Sequence, residues 1–177
     1  MDEKKPILQD CAMRYGTIMG LFWACKFVLF PIGLSIPILQ IFFVLLTLFV
    51  PVLGYIFVKK YRNLYCNGVI TFGKAFLFCI FMYLFAAMFV AIIHYLYFQF
   101  IDNGYIIKTY NEMIIQFKST VNSKELAEPL KQFQDTLKLL STLTPIEMTF
   151  QLITQNVFYG ILMALPTAAL VMRKNKN

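Results

Sequence analysis

Two residues able to carry a charge stand inside otherwise apolar runs of this chain, Lys26 and His94. An unpaired ionisable side chain at the centre of a bilayer costs at least about 2.5 kcal/mol, so such positions are candidates for contact with an ion, a substrate or another polar group. Gln40, Gln155 and Asn156 place amide groups in runs of the same kind. Together the five residues would suit an outward-opening pocket for an anionic or polar ligand. A structural reading competes with this one. A lysine close to the end of a membrane helix snorkels to lipid phosphates, and His94, Gln155 and Asn156 can exchange interhelical hydrogen bonds worth about 0.6 kcal/mol each.

Catalysis needs a nucleophile with its base, a pair of carboxylates, or metal ligands at usable spacing. The chain has one histidine, no acid inside its apolar runs, no Gly-rich phosphate loop and no His and Cys cluster. The sequence therefore points to a protein that is not an enzyme and that has no cofactor and no metal.

The elements that position these residues follow from composition. Of 177 residues, 59% are hydrophobic and only 14% charged, against about 45–50% and 25% in soluble domains. A bilayer core about 30 Å thick takes roughly 20 apolar helical residues to cross. Four stretches qualify, at about 13–30, 36–58, 72–100 and 145–172. The first is expected to end at Pro31 and Gly33. Ser35 is a candidate cap for the second, with Pro37 in its first turn. Thr71 is a candidate cap for the third, and Pro51 and Pro166 should kink the second and fourth. Thr144, Pro145 and Glu147 form a capping box opening the fourth span, with Leu143 and Met148 spaced as a hydrophobic staple.

The segment 102–143 differs in kind. Its apolar residues recur on a helical period, first Ile106, Tyr110, Met113, Phe117 and Val121, then Leu126, Leu130, Phe133, Leu137 and Leu140. Two amphipathic helices are expected, the second starting at Glu128 or Pro129 because a proline inside a helix costs about 3 kcal/mol.

Charge sets the orientation. Lys and Arg beside spans are retained on the cytoplasmic side. The two ends and the 59–74 loop hold ten Lys or Arg and three acids, whereas residues 102–147 hold five Lys and six acids. Both termini are therefore expected in the cytoplasm, with the insertion outside. Basic residues flanking spans in this way do not make a nucleic-acid surface. Cys11 and Cys66 fall on the inner side, Cys25 and Cys79 within spans, and none in the outer segment where disulfides would form. With no small-residue cleavage motif after it, the first span is expected to be retained.

Small residues at a spacing of four allow membrane helices to approach closely. Three stripes occur: Gly16, Gly20 and Ala24; Ala87 and Ala91; Gly160, Ala164 and Ala168. They serve packing within one chain or a seam between two copies.

Tyr15, Gly16 and Gly20, then Leu34, Ser35, Ile36 and Pro37, then Tyr61 and Arg62, then the run from Ile70 to Phe76 resemble the bacterial membrane family catalogued as domain of unknown function 4199. The resemblance implies a small four-span protein of a Gram-negative inner membrane and supplies no activity. The expectation is thus an all-α, four-span transmembrane bundle forming a single integral membrane domain, with an extracytoplasmic amphipathic helical insertion between spans three and four. Its expected partners are the lipid bilayer and either a second protein or another copy of itself, not nucleic acid. The expected role is that of an accessory subunit or envelope sensor binding a partner, lipid or small ligand from the outer side, with small-solute transport as the alternative.

Overall fold

The computed structural model describes residues 8–120 and 124–173, and every element named in it is a helix. In chain order these are α1 (Leu8–Ser35), α2 (Pro37–Tyr65), α3 (Phe72–Phe100), α4 (Tyr105–Thr120), α5 (Lys124–Leu140) and α6 (Pro145–Val171). Four of them, α1, α2, α3 and α6, are long and apolar enough to cross a membrane. Val121 of the amphipathic stripe and the basic residues Lys4, Lys5, Lys174 and Lys176 lie outside the described residues.

The chain forms two compact units. The first comprises α1, α2, α3 as far as Ile93, and α6 from Leu152. Its core is built from Met19, Val58, Phe78, Met82, Tyr83, Ala86, Ala164, Ala168 and Val171, all essentially inaccessible. Glycines set how closely the helices approach. A Cβ added at Gly16 would lie 2.7 Å from the Met82 carbonyl oxygen and 2.7 Å from Phe85 Cβ, and one at Gly20 would lie 2.8 Å from Phe89 Cβ. Only a residue without a side chain lets α1 seat against α3 at this depth. Gly160 does the same for α6, since its Cβ would meet Tyr83 Cβ at 2.7 Å. At one end of this unit Ile70 and Arg173 pair in an antiparallel bridge, and Arg62 Nη1 donates to the Val171 carbonyl at 3.0 Å. These bonds tie the start of α3 and the ends of α2 and α6 together.

The first helix begins earlier than expected, at Leu8, the second runs on past residue 58 to Tyr65, and three readings at prolines also differ from expectation. Pro31 does not end α1, which continues through it to Ser35. The helix stops because Pro37 disfavours the helical region for the residue before it, and Ile36 accordingly adopts φ −123° and ψ 93°. Ile36 is thus the entire connection between two membrane-length helices, its N–H donating to Ile32 and its carbonyl accepting from Leu39. Ser35 is therefore the last residue of α1 and not the cap of α2, whose N-cap is Ile36 with no side-chain bond. Pro129 also lies inside α5 and does not begin it. The amide it lacks would have bonded a single carbonyl in the first turn of that helix, and Pro129 itself is exposed.

The Thr71 and Thr144 caps form as expected. Thr71 Oγ1 accepts from the Lys74 amide at 3.4 Å. At Thr144 the box is reciprocal: the Thr144 amide donates to Glu147 Oε2 at 2.8 Å, and the Glu147 amide donates to Thr144 Oγ1 at 3.4 Å.

Candidate functional site

The second unit runs from His94 to Gln151 and contains the last turns of α3, the helices α4 and α5, and the first turns of α6. The chain leaves α3 through a turn built on Asp102. Its buried carboxylate accepts from Tyr97 Oη at 3.1 Å, from the Gly104 amide at 3.1 Å and from the Ile106 amide at 3.3 Å. One aspartate thereby caps α4 and ties it to α3. Asn103 and Gly104 pass through positive φ, at 43° and 77°, the left-handed region that Asn and Gly tolerate best.

From there α4 presents two faces. One carries Ile106, Tyr110 and Ile114 against α5: Ile106, Ile114 and Leu137 are buried, and the Tyr110 and Phe133 rings meet edge-on at 5.9 Å. Burial pushes the Tyr110 phenol above its ordinary pKa. Lys118 Nζ donates to Gln134 Oε1 at 2.7 Å across the same pair of helices. The other face holds Ile107, Lys108, Asn111, Glu112 and Ile115, spaced three and four apart, and with Gly104 of the preceding turn it lines an open cavity of about 560 Å³. Phe98 of α3, Leu140 and Ser141 at the end of α5, and Leu143, Pro145 and Met148 at the start of α6 complete the wall. The lining is predominantly apolar, and Lys108, Asn111 and Glu112 supply its polar groups together with Asp102 and Asn103.

None of the five polar residues singled out in the sequence lines this cavity. Lys26 is half-buried in the first unit with its Nζ over the Phe43 ring of α2, 5.2 Å from the centroid. The cation therefore meets an aromatic face where no acid is available. Phe43 in turn packs on Phe30 at 5.4 Å. Gln40 lies against Gly33, where an added Cβ would be 2.6 Å from Gln40 Oε1. In the same unit Gln155 is exposed and Asn156 half-buried. His94 is buried, 5% exposed, and belongs to the second unit. Three other polar atoms, Trp23 Nε1, Gln40 Oε1 and Tyr83 Oη, are buried with no hydrogen-bond partner among the described residues.

Among the lining residues that the sequence reading missed, Lys108, Asn111 and Glu112 carry polar groups, and the ones with a legible signal are Ile107 and Ile115. They fall off the main apolar stripe of α4, and that is the signal which would have found them. A helix with a second short apolar register beside its core face has something else to cover. No group of three or more metal-ligating side chains occurs among the described residues.

No curated protein and no solved structure matches the chain. A family model described as "Protein of unknown function (DUF4199)" matches residues 14–173, nearly the whole length and including every residue of the cavity. The four membrane-length helices and the helical segment between the last two thus belong to one family unit, and the chain is a member of the DUF4199 family.

Proposed function

We propose that this protein is a non-enzymatic accessory subunit or envelope sensor of a bacterial inner membrane, which engages a lipid or small ligand through the helical insertion between its last two spans. In this reading both termini are cytoplasmic and the insertion faces outward. The observation that carries the proposal is the cavity of about 560 Å³ formed by α4, the end of α5 and the adjoining ends of α3 and α6. Its volume falls within the roughly 300–1,000 Å³ of small-ligand pockets, and an apolar wall with a few convergent polar groups is the composition such pockets have. A Lys, a Glu and an Asn on one helical face can orient a polar ligand group.

Transport is less well supported. A solute path needs polar groups through the full membrane thickness, and the stretches 17–22, 48–57, 76–85 and 161–171 contain no ionisable residue other than tyrosine and cysteine. Solute uptake into proteoliposomes, compared with Lys26→Ala and His94→Ala proteins, tests the choice. The proposal predicts no saturable uptake. Saturable uptake lost in both variants would replace the subunit reading with a transporter.

A further inference from the structure

We infer that the cavity of the second unit takes the acyl chain of a zwitterionic phospholipid, with Lys108 meeting its phosphate and Glu112 its ammonium group. The inference rests on the proposed ligand-binding role of the insertion and names the ligand class. Three observations converge on it.

The first is the wall. Phe98, Ile107, Ile115, Leu140, Leu143 and Met148 line an open pocket of about 560 Å³, room for one acyl chain lying along it. Aliphatic and aromatic side chains from four helices and a linker give a chain of methylenes contact on several sides, and each methylene withdrawn from water adds to binding.

The second is depth. Phe98 lies two residues from the end of α3, and Met148 lies three residues after the start of α6. Both are ends of membrane-length helices, which the proposed membrane role puts close to the boundary between acyl chains and headgroups. Phe100 and Ile101 beside it are 68% and 65% exposed, as suits side chains in contact with lipid.

The third is charge. Lys108 and Glu112 are one turn apart on the lining face of α4, where Cβ atoms lie about 5–6 Å apart. Both side chains are exposed, and among the described residues neither is engaged in an ion pair or side-chain hydrogen bond. A cation and an anion one turn apart that do not pair with each other match a headgroup that carries a phosphate and an amine a few bonds apart. An anionic headgroup would satisfy Lys108 and be repelled by Glu112.

Full-length protein in phosphatidylcholine vesicles, doped with phosphatidylethanolamine bearing a photoactivatable acyl chain, tests this by mapping the cross-linked peptides. Labelling should concentrate on residues 98–115 and 140–148. Ile115→Trp, at a site 63% exposed where a larger ring is tolerated, should fill the space and abolish that labelling while the helical spectrum and elution are unchanged. Lys108→Gln should reduce labelling by about threefold to tenfold with phosphatidylethanolamine and with phosphatidylglycerol alike, whereas Glu112→Gln should reduce it with phosphatidylethanolamine alone. Label spread evenly over the exposed faces of α2 and α6 and indifferent to Ile115→Trp would overturn the inference. So would labelling by phosphatidylglycerol that matches phosphatidylethanolamine and ignores Glu112→Gln. Saturable binding of water-soluble glycerophosphoethanolamine without acyl cross-linking would overturn the acyl site and leave the ligand-binding role of the insertion standing. That role fails separately, if the insertion proves to face the cytoplasm.

Discussion

A lysine inside a membrane helix has to be solvated by something, and Lys26 uses the face of Phe43. Cation–π contacts contribute about 0.5–2 kcal/mol according to how far the pair is desolvated. A double-mutant cycle on Lys26→Ala and Phe43→Ala, read by thermal unfolding in detergent, should therefore show a coupling energy within that range. Zero coupling would leave Lys26 to the lipid phosphates. The sequence located Lys26 but not its partner, because nothing in an apolar run distinguishes one phenylalanine from the next until the helices are paired. Tyr83 makes the opposite point. Its hydroxyl is buried in the first unit without a partner among the described residues, and its ring fills the space left by Gly160. An unsatisfied buried hydroxyl costs about 1–3 kcal/mol. Tyr83→Phe should consequently keep the packing and raise the unfolding temperature; a clear loss of stability would mean that the hydroxyl holds a water or a ligand in place.

Helices are the scale at which the sequence was most readable. Apolar length located all four membrane-length helices, and the Thr144 and Glu147 spacing located the start of α6 to the residue. Thr144→Ala should destabilise by about 0.5–2 kcal/mol, with faster amide exchange confined to the first turn of α6. Proline was the source of the misreadings. Pro31 and Pro129 looked like boundaries because in water a proline usually is one, yet each removes a single hydrogen bond and the rest of its helix outweighs that loss. The effective stop was Pro37, acting on the conformation of Ile36. Close helix approach could be anticipated as a tendency but not as a pairing. Gly16 meets α3 through Met82 and Phe85, residues with no small-residue signature. Gly16→Leu should separate α1 from α3 and cost about 1–3 kcal/mol or more, while Gly73→Ala, where an added Cβ meets nothing within 4 Å, should be neutral or slightly stabilising. The cavity was the least legible feature. Its lining comes from four helices, and its mark in the sequence was the pair Ile107 and Ile115 beside the stripe that packs on α5.

For the molecule as a whole, the proposed role stands on a single vectorial statement: the insertion lies outside the cell membrane and the loop between α2 and α3 inside it. The ten Lys or Arg in the two ends and the 59–74 loop support that orientation, and two of its reporters are already placed. Cys66 follows α2 as its C-cap and is half-buried, and Ser141 is exposed on the cavity wall between α5 and α6. Membrane-impermeant maleimide applied to intact spheroplasts of cells expressing the Ser141→Cys protein measures the orientation directly. Tagging at position 141 without permeabilisation, with Cys66 tagged only after it, is the predicted result. Cys66 reacting from outside while position 141 stays protected until the membrane is opened would contradict it.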